Sequence, residues 1–171
     1  MDIFNYRFVG YEAYYQDVLP ELQKKIFDAL QDEDYHFILA VNEAVCNAAR
    51  YALNGVQNAE IEIKLKTTEY DISATIRAKT HPFDVEHYRN ELLKLLSNKE
   101  LCNMEWGDYT ADTEKSRGFW YMLTACDYLY MDDDGQEITL CARAPYDSKS
   151  FTTKIGHLVP RFFIKKNGVI L

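Results

Sequence analysis

The 171-residue sequence is poor in the residues that mark loose or cross-linked chains: it has seven glycines, four prolines and four cysteines. So few glycines and prolines leave no linker or low-complexity stretch, and one packed domain of ordinary length is expected. Cys46, Cys102, Cys126 and Cys141 form no CxxC pair, and three of them lie inside apolar segments. They read as structural free thiols rather than as a disulfide framework. His36, His81, His87 and His157 are spread apart without HExxH-type spacing, which argues against a histidine metal centre. No Lys/Arg block stands out, and the formal net charge is −8. Nucleic-acid binding is therefore disfavoured, because neutralising phosphates needs clustered positive charge. A basic protein partner suits the charge better. No apolar run approaches the ~20 residues of a membrane span, and residues 1–10 lack the basic-then-apolar order of a secretory signal. A cytoplasmic protein is expected. GxSxG, Walker A and nucleophilic-cysteine patterns are also missing.

What the chain does have is hydrophobic periodicity. Ile3 to Val9 reads as an opening strand, rich in aromatic and β-branched residues. Tyr11 to Gln31 follows with Leu19, Leu22, Ile26 and Leu30 at helical spacing, and Pro20 starts a second piece or kinks a single one. Asp32-Glu33-Asp34 offers cap-type acids before a helix from about Tyr35 to Leu53. That helix puts Phe37, Val41, Ala44, Ala48 and Ala52 on one stripe, and Asn54-Gly55 is its expected end. Ala59–Lys66 and Tyr70–Ala78 alternate as a hairpin around Thr67-Thr68-Glu69. Val85–Leu96 is a second amphipathic helix, Gly118–Cys126 a third, and Tyr128–Met131 with Glu137–Arg143 a second strand pair. Asp132-Asp133-Asp134-Gly135 lacks calcium-loop spacing and reads as a charged hairpin turn. Ser97 to Ser116 is the one long aperiodic stretch, of the kind that forms lids or binding segments. The order β-α-α-β-β-α-loop-α-β-β describes an α+β two-layer sandwich: a mostly antiparallel sheet with helices on one face. Residues 1–144 make up this domain, and 145–171 are expected to extend it with a further hairpin around Lys166-Asn167-Gly168.

The segment Asn42-Glu43-Ala44-Val45-Cys46-Asn47-Ala48-Ala49-Arg50-Tyr51 carries the chemistry. On a helix, Glu43, Asn47 and Arg50 share a narrow arc roughly opposite the apolar stripe. A carboxylate, an amide oxygen and a guanidinium aimed at one volume are the groups that phosphoryl transfer uses. Spacing alone favours a solvated helix face.

ExxxNA followed by a basic residue and Tyr resembles the N-box of the GHKL ATPase superfamily, and is most similar to the anti-sigma-factor serine kinases within it. The resemblance covers roughly residues 3 to 143. It implies the Bergerat ATPase fold, Mg-ATP as the ligand, Glu43 as general base or water-positioner, and Asn47 as the Mg²⁺ ligand. It also places Arg50 near the phosphates. Ser116-Arg117-Gly118-Phe119 stands where the second glycine box belongs. Gly118 allows a close backbone approach there, the following helix N-terminus can hold an anion, and Arg117 is a candidate phosphate contact. The partners implied are a sigma factor or an antagonist protein carrying the acceptor serine, together with a homodimer. The first glycine box departs from the pattern. Ala78 occupies the place of the aspartate that accepts from the adenine amino group, and Thr80 the place of a glycine, although Phe83-Asp84 keeps that box's ending. The alternative is a binding module of the same fold that has lost nucleotide turnover.

Overall fold

The computed structural model describes residues 1–31, 35–112, 116–146 and 151–171. The proposed cap Asp32-Glu33-Asp34 lies outside them. Seven strands form one sheet in the order β1-β2-β3-β5-β4-β6-β7: β1 (Asp2–Val9), β2 (Glu60–Thr67), β3 (Asp71–Ala78), β4 (Tyr128–Asp132), β5 (Glu137–Arg143), β6 (Phe162–Lys166) and β7 (Val169–Ile170). Every pairing is antiparallel except β4 with β6, where Leu129 faces Phe162. The fold is the α+β two-layer sandwich that the element order implies.

Strand alternation sends Ile61, Ile63 and Leu65 of β2 and Ile72, Ala74 and Ile76 of β3 to one face, where all are buried. The helices cover that face. The long α3 (His36–Arg50) lies over β2, β3 and β5, α4 (Val85–Leu95) over β6, and α7 (Arg117–Ala125) against both α3 and β4. α3 ends earlier than its apolar stripe. Tyr51–Leu53 turns aside to pair with the chain beyond β3, through Leu53 N to Lys79 O at 3.0 Å and His81 N to Tyr51 O at 2.9 Å. Before α3, α1 (Gly10–Ala13) runs through one π-helical turn, Tyr14–Val18, into α2 (Leu19–Leu30). The irregular turn sits where Pro20 lacks the N–H that would continue the α-helical ladder.

The stretch 97–116 is not a bare loop. It contains α5 (Lys99–Asn103), capped by the Asn98 side chain, and α6 (Trp106–Tyr109). Both are tied to the C-terminal segment: Trp106 N donates to Thr153 O at 2.9 Å and Ile155 N to Met104 O at 3.1 Å. α8 (Ile155–Leu158) approaches α5 so closely that a Cβ on Gly156 would lie 2.9 Å from Cys102 O. Ile155, Leu158, Val159, Phe162 and Ile164 are buried, so residues 155–164 help to build the core.

The other face of the sheet has no helix over it among the described residues. Arg7, Glu62, Arg77 and Glu137 stand in register across four strands, beside a depression of about 550 Å³. Glu137 is 8% exposed and is clasped by Arg77 and by Lys165, the latter at 3.2 Å. Burial works against its charge, but the two cations outweigh it and hold the carboxyl below its usual range. Asp132 next to it behaves oppositely. Burial, aided by Asp134 and Glu137, raises it from 3.8 to about 6, although its Oδ1 accepts from Glu137 N at 2.8 Å. A raised carboxyl favours the fold at low pH and loses that contribution as pH climbs through 6. Asp132→Asn keeps the acceptor and removes the titration. Its stability relative to wild type is expected to grow by about 1 kcal/mol between pH 4.5 and 7.5, after discounting for solvent screening. Urea unfolding at both pH values checks this, and a difference independent of pH contradicts it.

Candidate functional site

Burying Phe37, Val41 and Ala44 against the sheet turns the polar arc of α3 toward α7. Glu43 and Asn47, four residues apart, are half-buried, while Arg50 in the last turn is exposed. The Glu43 carboxylate lies over Gly118 at the start of α7. A Cβ on Gly118 would overlap Glu43 Oε2 and lie 3.3 Å from Cδ. The absent side chain is therefore what leaves the Glu43 carboxylate its place over the start of α7. The Asn47 side chain makes no hydrogen bond and Arg50 no ion pair among the described residues, so both remain available. Behind the arc, Tyr14 hydroxyl donates to Asn42 Oδ1 and Tyr11 hydroxyl meets Cys46 Sγ. Burial pushes the Cys46 thiol up despite the Tyr11 contact, so it is a packing group rather than a nucleophile.

The turn before α7 keeps the backbone of a glycine box with one glycine gone. Ser116 adopts φ 71° and ψ −5°, the left-handed region that glycine enters without cost, and its side chain caps nothing. The N–H groups of α7's first turn have no partner within the helix. Arg117 is used elsewhere: its Nη2 donates to Thr110 O at 3.2 Å and to Ala111 O at 3.0 Å. The residue that sequence spacing suggests for phosphate instead ties the segment after α6 to α7.

At the other end of α3, residues 78–84 lie between two backbones. Tyr51–Leu53 is on one side, and the β4–β5 turn is on the other, through Ala78 N to Gln136 O at 3.0 Å and Phe83 N to Asp134 O at 3.3 Å. Ala78 and Thr80 are both buried, and the Thr80 hydroxyl has no hydrogen-bond partner among the described residues. The sequence marks Thr80 as standing in a glycine's place, but its isolation has no local signal, because it arises from a pairing across nearly thirty residues, Ala52 with Thr80. Arg161 likewise has no sequence signature; it closes the C-terminal end of α7 by donating to Cys126 O at 2.9 Å and Leu123 O at 3.3 Å. Among the described residues no group of His, Cys, Asp and Glu side chains is placed to hold a metal by itself. None of their helices is long and apolar enough to cross a membrane.

A mostly antiparallel sheet under a long helix, whose polar arc meets a glycine at the start of a second helix, defines a GHKL-type ATPase domain. The sequence profile of the histidine kinase-like ATPase domain family matches residues 20–142, from α2 through β5, and the chain belongs to that family. No curated protein matches the chain.

Proposed function

We propose that the chain is an ATP-binding regulatory protein of the anti-sigma-factor serine kinase type, whose site is the volume between α3 and the start of α7. The observation that carries this reading is the Glu43 carboxylate resting on Gly118, where any side chain would displace it. The residues fit the phosphate end of a nucleotide. Asn47 is an uncommitted amide oxygen for Mg²⁺, Arg50 a cation without an ion pair among the described residues, and the first turn of α7 a set of free N–H donors. Mg-ATP would supply the γ-phosphoryl group to the partner's serine oxygen, with ADP leaving as the bond to the bridging oxygen breaks. Glu43 orients a serine hydroxyl of a partner protein and accepts its proton, while Arg50 and the Gly118 backbone offset charge on the phosphate oxygens. The partner is a sigma factor or its antagonist, and the working unit is a homodimer.

Two observations favour a second reading, a nucleotide-independent binding module of the same fold. Ala78 replaces the carboxylate that reads adenine, and the segment 97–112 is held by the C-terminal chain rather than free to close. Calorimetric titration separates the two. With Mg-ATP at a hundredfold excess over its dissociation constant, a binder gains ~2.7 kcal/mol of stability. Wild type is expected to show binding, and Asn47→Ala to lose most of it. Absence of any response at millimolar nucleotide selects the binding module.

A further inference from the structure

The segment after β3, where the resemblance to the GHKL family puts the base, has an orphaned polar group. Thr80 lies two residues beyond the end of β3, so its side chain projects to the same side as Ala78. Ala52, Ala78 and Thr80 are 6%, 4% and 7% exposed, and the Thr80 Oγ1 is buried without a hydrogen-bond partner among the described residues. Leaving a buried hydroxyl unpaired is costly, and its alanine neighbours offer nothing to satisfy it. A hydroxyl can donate or accept, whereas an ionised carboxylate only accepts.

We propose that Thr80 Oγ1 reads the 6-position of a purine base, and that the protein consequently takes ATP and GTP with nearly equal affinity. This rests on the nucleotide-binding reading above and concerns only its base end. An aspartate at position 78 would accept from the 6-amino group of adenine and repel the 6-oxo group of guanine. Ala78 makes neither distinction. The hydroxyl donates to a 6-oxo group or accepts from a 6-amino group, so either base relieves its isolation. Exchanging a directional acceptor for a two-way group removes the penalty that rejects the wrong base.

The test is calorimetric binding of Mg-ATP, Mg-GTP and Mg-tripolyphosphate to wild type, Thr80→Val and Ala78→Asp. Valine nearly preserves the shape of threonine, so the fold is kept while the hydroxyl goes. ATP and GTP are expected to bind wild type within about threefold of each other. Thr80→Val is expected to weaken both by about fivefold and to leave tripolyphosphate unchanged. Ala78→Asp is expected to create at least a tenfold preference for ATP. A tenfold ATP preference in wild type, or unchanged purine binding in Thr80→Val, overturns the assignment. Binding of tripolyphosphate as tight as that of either nucleotide also overturns it, while keeping the phosphate site. If neither nucleotide nor tripolyphosphate binds, the nucleotide reading falls and this inference falls with it.

Discussion

Replacing Phe162 by alanine is expected to lower the unfolding free energy by about 3–5 kcal/mol, the range for emptying a buried aromatic position. Phe162 lies outside the matched residues 20–142, yet it is 1% exposed. Its ring meets Phe119 edge-on at 5.0 Å and Tyr88 at 6.4 Å. It also pairs with Leu129 where β6 joins β4 in parallel, and the Arg89 side chain donates to its carbonyl. Removing it therefore opens a cavity bounded by α4, α7 and the sheet, which cannot collapse without moving all three. Ile170, 50% exposed on the last strand, serves as the comparison, since its alanine variant is expected to change stability by less than about 0.5 kcal/mol. Chemical denaturation reads both through a shifted midpoint at constant slope. A loss below about 1 kcal/mol at Phe162 would mean that the C-terminal strands are an appendage. The site is touched as well, because Phe119 is the residue after Gly118 and its ring rests on Phe162. A loosened β6 is thus expected to loosen the first turn of α7.

The elements legible in the sequence are those whose pattern repeats often enough to be seen locally. α3 spans four turns, so its apolar stripe and the polar arc of Glu43, Asn47 and Arg50 are both evident, and the hairpin β2–β3 alternates over eight residues a strand. α5, α6 and α8 have four or five residues each, too few turns to show a period; α5 is capped by the Asn98 side chain, and backbone bonds between residues 104–106 and 153–155 hold the three together. The parallel β4–β6 pairing joins residues more than thirty apart and leaves no local mark. The end of α3 differs from the sequence expectation for the same reason: Asn54-Gly55 is a legitimate stop, but the strand-like pairing of Tyr51–Leu53 with Lys79–His81 competes earlier and wins. At the site, residue types and their spacing point to Glu43 and Gly118 but do not reveal that the two touch. Nor do they reveal that Arg117 is committed to the carbonyls of Thr110 and Ala111.

Gly118→Ala is expected to abolish Mg-nucleotide binding, raising the dissociation constant at least a hundredfold, about 2.7 kcal/mol, while leaving the fold intact. Inside a helix, alanine is ordinarily the better residue by roughly 0.8–1 kcal/mol. Here its Cβ would enter the space of the Glu43 carboxylate. The collision is with the far end of a flexible side chain, so the helix pair need not separate, but Glu43 must rotate out of the shared volume. The helix-propensity gain and the displacement offset each other, and net stability is expected to stay within about 1 kcal/mol of wild type. In a Glu43→Ala background nothing obstructs the methyl group, and the same change is expected to stabilise by the full alanine preference. The difference between the two backgrounds measures the Glu43–Gly118 contact itself, free of any assumption about nucleotide. A coupling near zero would show that the carboxylate does not rest there in solution. A sizeable coupling together with unimpaired nucleotide binding would separate the contact, which is a fact of the fold, from the function proposed for it.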